Sequence, residues 1–336
     1  MNHINPNASR KVRSQSVPDL FLDLRNGSIS ALSKAITLIE SAHKKDEHRA
    51  SELLRLALPF SGNSFRLGLT GVPGVGKSTF IESFGSLLLK QEFKIAVLAI
   101  DPSSNISGGS ILGDKTRMEE LVKSSHAFIR PSPAGKTLGG VARKTREAIL
   151  LCEAAGFNFI IIETVGVGQS ETAIHSMTDF FLLLKIAGTG DDLQGIKRGI
   201  MEMADAIVIN KADGDNSKHA RRAQREFSNA VNVFQNKKHQ QKVKVYTASG
   251  IDGTGLPQIL QDIQGFKTAT ISNGSFLQRR IDQELYWLHQ TIEDQLKSRF
   301  YGEPGMVDKL AQIEKQVQGG SMSAYEAASL LLSFKK

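Results

Sequence analysis

Nine consecutive residues have the types and spacing to hold phosphate: Gly71, Val72, Pro73, Gly74, Val75, Gly76, Lys77, Ser78 and Thr79. They fit G-x-x-x-x-G-K-[ST], a loop whose backbone amides cradle phosphate oxygens. The glycines let those amides turn inward with no side chain in the way. Lys77 would reach the β- and γ-phosphates, and the Ser78 hydroxyl would ligate Mg2+. Farther on, Asn210-Lys211-Ala212-Asp213 has the N-K-x-D form that reads guanine. Asp213 can accept from the N1–H and N2–H2 of guanine together. Adenine offers no such pair, and a buried acceptor would lose its partners there. Lys211 would pack along the base, and Asn210 would tie this loop to the phosphate loop. Thr247-Ala248-Ser249 resembles the degenerate S-A-x motif, whose backbone approaches the guanine O6. The expected ligand is GTP or GDP.

Three more segments carry carboxylates or glycines where a γ-phosphate would be sensed. Glu163-Thr164-Val165-Gly166 occupies the place of D-x-x-G. Glu163 would hold Mg2+ through water, and the Gly166 amide would contact the γ-phosphate. Asp101 and Asp114 flank the glycine-rich stretch Ser107-Gly108-Gly109-Ser110. A carboxylate at each end suits a first switch that orders around Mg2+ and γ-phosphate. The stretch from Gly188 to Lys197, with Asp191 and Asp192, reads as a third responsive loop that touches a partner. Each motif also has a plain reading: a glycine-rich turn, a polar loop after a strand, a carboxylate in solvent. Context decides against these.

That context is alternation. Phe65–Thr70 is an apolar run just before the phosphate loop, and Ser78–Lys90 has helical spacing after it, with Phe80, Ile81, Phe84, Leu87 and Leu88 on one side. Apolar runs recur at 94–101, 127–130, 157–163, 180–186, 206–210 and 243–247, separated by helical stretches such as Leu138–Ala155. Such runs indicate a mostly parallel sheet covered by helices on both faces. Ligands then bind at the carboxyl ends of strands, where Thr70, Asp101, Glu163 and Asn210 stand. The fold class is α/β, a P-loop NTPase, in three parts. Residues 1–62 form a tail and helical extension, 63–265 the G domain and 266–336 a helical dimerisation arm. In the extension, Ser28 or Ser30 would cap a helix over Ala31–Ala42. In the arm, Leu277, Ile281, Leu285, Leu288, Ile292 and Leu296 repeat near heptad spacing, which points to a homodimer.

With 336 residues and 40% hydrophobic composition the chain can bury a substantial core. The net charge of +8 permits anionic partners, but Arg221, Arg222, Arg225, Lys237, Lys238, Lys242 and Lys244 read as solvated faces. No aromatic ladder accompanies them, so no nucleic-acid partner is expected. No apolar run approaches a membrane span. The first seventeen residues lack a signal-peptide core and read as a disordered tail with Arg10, Lys11 and Arg13. The one cysteine, Cys152, excludes an intrachain disulfide and reads as a buried, inert thiol in a reducing, cytoplasmic setting.

The long motifs at 71–79, 101–104, 108–118, 163–171, 191–197 and 210–213 resemble the MeaB/ArgK family. These are the methylmalonyl-CoA mutase-associated G proteins, related to the human methylmalonic aciduria type A protein. The resemblance covers about residues 20–300. Glu in place of Asp at 163 is a feature of that family. The resemblance implies a homodimeric GTPase that chaperones an adenosylcobalamin-dependent mutase, gating cofactor loading and protecting or reactivating the enzyme. It implies Mg2+ handled by Ser78, Asp101, Asp114 and Glu163. It implies a catalytic set of Lys77, Glu163, Gly166 and Lys197, with 188–197 relaying nucleotide state to the mutase. No glutamine directly follows Gly166, and Gln169 lies farther on, so intrinsic turnover is expected to be slow and raised by a partner. An arginine/ornithine transport ATPase or kinase, or a nucleotide-gated scaffold for another partner, are the competing readings.

Overall fold

Predominantly apolar segments become the central strands of the sheet, because a strand buried on both faces favours such a run. The computed structural model describes residues 15–41, 43–100, 118–131, 138–164, 170–188, 198–234 and 242–333. Asp101, Asp114, Gly166 and Lys197 lie outside them. The strands are β1 (Phe65–Gly71), β2 (Ile95–Ile100), β3 (Ala127–Arg130), β4 (Phe159–Thr164), β5 (Phe180–Ile186), β6 (Ala206–Asn210) and β7 (Lys244–Thr247). They form one sheet in the order β3-β2-β4-β1-β5-β6-β7, and every pair is parallel. The winding turns back around β1, between β4 and β5, so the loop after β1 opens at the switch point where such sheets take ligands.

Odd positions of β1 (Phe65, Leu67, Leu69) join Ile161, Leu182 and Val208 in a core under α4 (Lys77–Lys90) and α10 (Leu256–Ser272). Phe80, Phe84 and Leu88 come from α4, and Leu256, Ile259 and Ile263 from α10. Each such side chain, fully buried, contributes about 1.5–3 kcal/mol. The opposite face is covered by α6 (Leu138–Ala154), α7 (Ser170–His175) and α9 (Ser217–Phe234). Between β2 and β3 lies the short α5 (Glu119–Lys123), and before β6 lies α8 (Arg198–Met203). The N-terminal helices α1 (Val17–Arg25), α2 (Ile29–Glu40) and α3 (Lys44–Ala57) pack on one another, and α2 and α3 also pack on α6. Ser28 is the cap of α2, accepting from the Ala31 amide at 3.2 Å. The predicted helix ends differ from these by one to two residues at several places, as at α4, which begins at Lys77 rather than Ser78.

The chain divides into two compact units, one ending at Arg280 and one beginning at Ile281. The expected start of the arm, at 266, falls inside the continuous helix α10. The second unit holds most of α11 (Ser275–Tyr301), then α12 (Met306–Gln318) and α13 (Ala324–Ser333). Met306, Ile313, Ala327 and Leu331 make its small core, with Phe300 and Leu310 against it. Arg221, Arg222 and Arg225 are exposed along α9, as expected of a solvated face, and Arg222 pairs with Glu226 at 2.9 Å. No helix among the described residues is long and apolar enough to cross a membrane.

Candidate nucleotide site

The phosphate loop lies between β1 and α4, the context its sequence requires. Two of its glycines are in the left-handed region, Gly74 at φ 79° and Gly76 at φ 91°. At Gly76 space is closed as well: a Cβ there would lie 2.9 Å from Asn210 Nδ2 and 3.6 Å from Lys211 Cε. At Gly71 a Cβ would sit 2.7 Å from the Leu184 carbonyl oxygen of the neighbouring strand. Lys77 folds over the loop, its Nζ donating to Gly71 O at 2.8 Å and Val72 O at 3.3 Å. Burial pushes its ammonium below the ordinary lysine value, against the pull of Glu163. Glu163 is buried near the end of β4, and Thr164 closes the strand with its hydroxyl 2.9 Å from that of Thr70.

The second half of the site comes from the far side of β1. Asn210 ends β6, and its Nδ2 donates to Val75 O at 2.8 Å, so the two loops are bonded to each other as the sequence suggested. Lys211 turns the chain in the left-handed region, at φ 58°, which a non-glycine residue adopts only when its surroundings hold it there. The Lys211 carbonyl accepts from Asn216 Nδ2 at 2.6 Å, and the Ala212 amide donates to Ala248 O at 3.0 Å. These bonds fix the turn that presents Asp213. Asp213 Oδ1 and Asn210 Oδ1 are both buried with no hydrogen-bond partner among the described residues. A buried carboxylate oxygen without a donor is costly, and the paired N–H groups of a guanine edge are donors of the required kind.

Thr247 ends β7, and Ala248 and Ser249 follow it beside this turn. In this conformation the amides of Ala248 and Ser249 donate to Ile209 O at 2.9 Å and Thr254 O at 3.0 Å. The Ser249 hydroxyl accepts from the amides of Ile251 and Asp252, at 3.1 and 3.3 Å, and so shapes the loop. Gly250 lies against the backbone of α4, where a Cβ would meet Phe80 N at 2.9 Å, and Ser83 Oγ donates to Gly250 O at 2.5 Å. Sequence reasoning passed over Ser83 and its neighbour Glu82. Their partners are 167 and 38 residues away, so no local pattern marks them. Ser78 and Glu163 offer hard oxygen donors, which suit Mg2+. Among the described residues no group of three or more His, Cys, Asp or Glu gathers at one point.

Comparison with known proteins agrees with this geometry. Residues 32–305 match the family model of the methylmalonyl Co-A mutase-associated GTPase MeaB. The GTPase ArgK of Escherichia coli is 47% identical, over 83% of this chain and 84% of its own. The mitochondrial methylmalonic aciduria type A homolog of Mus musculus is 43% identical, over 94% of this chain and 79% of its own. A crystal structure of an LAO/AO transport system kinase superposes with a TM-score of 0.75 at 35% identity, covering 99% of each chain. With likeness of this depth over most of its length, the chain is a guanine-nucleotide-binding GTP hydrolase and belongs to the family of methylmalonyl Co-A mutase-associated GTPases, MeaB.

Proposed function

We propose that this GTPase is a nucleotide-gated chaperone of an adenosylcobalamin-dependent acyl-CoA mutase of the methylmalonyl-CoA type. On this reading GTP binding and hydrolysis time the loading of the cofactor and the protection or reactivation of the mutase. The observation that carries it is the bond from Asn210 to Val75 O, which joins the base-reading and phosphate-holding loops into one unit. The name of the matched family supports a mutase as the client.

The residues take the following parts. The backbone amides of the loop from Gly71 to Thr79, Pro73 excepted, hold the phosphates, and Lys77 leaves Gly71 O and Val72 O for phosphate oxygens. Asp213 reads guanine, with Lys211 along the base. Ser78, Glu163, Asp101 and Asp114 hold Mg2+, which when bound neutralises phosphate charge. Gly166 senses the γ-phosphate, and Lys197 relays nucleotide state to the mutase. Helix α11 with the helices after it is the homodimerisation arm.

The test is single-turnover GTP hydrolysis with and without purified methylmalonyl-CoA mutase, using GTP labelled at the γ-phosphate. Slow release of free phosphate, accelerated by the mutase, is expected. Lys77→Ala should lose most of that hydrolysis, while Lys197→Ala should keep GTP affinity and lose the acceleration. Hydrolysis that is fast alone and indifferent to the mutase would sink the chaperone reading. Label appearing on a transport protein instead would favour a kinase, the activity for which the structural relative is named.

A further inference from the structure

The loop after β7 touches both halves of the nucleotide site. Ala248, Ser249 and Gly250 are all buried. Toward the base-reading turn, Ala248 O accepts at 3.0 Å from the amide of Ala212, the residue before Asp213. Toward the phosphate loop, Gly250 rests on the first turn of α4, where a Cβ would meet Phe80 N at 2.9 Å and Thr79 C at 3.0 Å. One turn along α4, Ser83 Oγ donates to Gly250 O at 2.5 Å. Between these contacts the loop is tied to itself. The Ser249 amide donates to Thr254 O at 3.0 Å, and Ser249 O accepts from the Gly253 amide at 3.1 Å. The Ser249 hydroxyl accepts from the amides of Ile251 and Asp252. Gly255, at φ 80°, closes the turn where a Cβ would lie 2.3 Å from Thr247 O. A short run of bonded residues thus leads from Ser83 through Gly250, Ser249, Ala248 and Ala212 to Asp213. It ends at an atom turned to a ligand, the buried Asp213 Oδ1, which has no hydrogen-bond partner among the described residues.

We propose that Ser83 is a positioning residue for guanine specificity. Its hydroxyl holds the loop after β7 on α4, and that loop holds the turn from which Asp213 meets the base. The proposal rests on the reading that Asp213 accepts from the N1–H and N2–H2 of guanine. Hypoxanthine keeps the N1–H and lacks the amino group. A turn that shifts therefore loses most at the contact guanine makes and hypoxanthine does not. The preference between the two bases falls, rather than affinity for nucleotides at large. A donor, rather than bulk, is what the geometry requires at position 83. A thiol fills the space of the hydroxyl but donates weakly.

The experiment measures the affinities of the full-length protein for GDP and for IDP by calorimetry. The wild type should prefer GDP by about tenfold or more, the effect of one hydrogen bond to a charged acceptor. In Ser83→Ala and Ser83→Cys that preference should fall roughly threefold or more, the scale on which members of one hydrogen-bond network couple. IDP affinity should fall less than GDP affinity. A wild-type preference in both variants overturns the proposal. So does a wild-type preference in Ser83→Cys alone, which marks a side chain that only fills space. Equal weakening of GDP and IDP overturns it too, since it marks a general loss of structure. If Ser83→Ala does not fold, as read by circular dichroism, Ser83→Cys carries the comparison. A wild type that binds GDP and IDP equally refutes the base reading of Asp213 and the proposal with it, a result visible before any variant is made.

Discussion

Arg280 grips Asp179 with two nitrogens, Nε on Oδ1 at 2.8 Å and Nη2 on Oδ2 at 2.7 Å. The aspartate side chain is 1% exposed and the arginine 12%. Arg280 also donates to Gly62 O and Ser64 O, and Asp179 also accepts from the Arg66 amide at 2.8 Å. Its neighbour Arg279 does the same to Asp205, at 3.0 and 3.1 Å. Asp179 and Asp205 stand just before β5 and β6. The root of α11 is therefore fixed at the amino ends of strands whose carboxyl ends form the candidate site. Arg280→Ala should destabilise the chain by about 3–5 kcal/mol, because it strands a buried carboxylate. Arg280→Lys should recover only part of that, since an ammonium cannot make the two-pronged contact. Urea unfolding followed by circular dichroism measures both.

Glu153 sets the acid limit. Burial opposes its charge, but Arg66 at 2.9 and 3.0 Å, Ser64 Oγ at 2.5 Å and the Gly62 amide outweigh burial. They hold its carboxyl below the ordinary value of 4.5. A group depressed in the folded state stabilises fully above its unfolded pKa and loses that contribution as pH falls through the folded one. The wild type should therefore lose stability progressively below about pH 4.5, by the unfolded value of such a group. Glu153→Gln should be less stable at pH 7 and fall less steeply in that window. Equal slopes for the two proteins in denaturant titrations from pH 6 to 3 would refute this.

Gly76→Ala should abolish tight nucleotide binding. The new methyl must occupy space 2.9 Å from Asn210 Nδ2 with its backbone at φ 91°. Relief requires moving Asn210 off Val75 O or rotating the loop, and either one separates base reading from phosphate binding. Calorimetry with GDP should show a loss of at least about a hundredfold, the effect of a backbone penalty plus a lost buried hydrogen bond. Gly74→Ala, strained by φ alone with open space around it, should cost less.

Leu285, Leu288, Ile292 and Leu296 along α11 are each between 46% and 61% exposed. An apolar stripe on a helix of this length is a seam for another helix. If two copies meet there, Leu288→Glu should weaken self-association by roughly tenfold or more, the effect of losing one central apolar anchor. Sedimentation equilibrium should find dimers of the wild type and a shift toward monomer in the variant. A wild type that stays monomeric at tens of micromolar would end the proposal for the arm.

The sheet was legible because its central strands are written as largely apolar runs, with few breaks such as Arg66 in β1 and Lys185 in β5, and the phosphate loop because its glycines are demanded locally. The link from Asn210 to Val75 could be expected from the two motifs alone, although they are 135 residues apart. The arginine–carboxylate pairs could not. Arg66 meets Glu153 across 87 residues and Arg280 meets Asp179 across 101, with nothing in either neighbourhood to mark them. The second unit begins at Ile281, after α10. Helix α10 completes the cover over β1 and β5 well past the last strand, so the end of strand and helix alternation is not the end of the unit. The roles given to Asp101, Asp114, Gly166 and Lys197 rest on the motifs.

Cys152 is fully buried in α6, and burial raises its thiol far above the ordinary range. Thiol reagents act on the thiolate. The only sulfhydryl in the chain is thus silent toward maleimides while the protein is folded. A cysteine introduced at an exposed position, such as Ile251 beside the candidate base loop, would be the one group to take up a fluorophore or spin label. The native chain therefore needs no cysteine removal before such probes are attached, and label uptake at Cys152 would itself report unfolding.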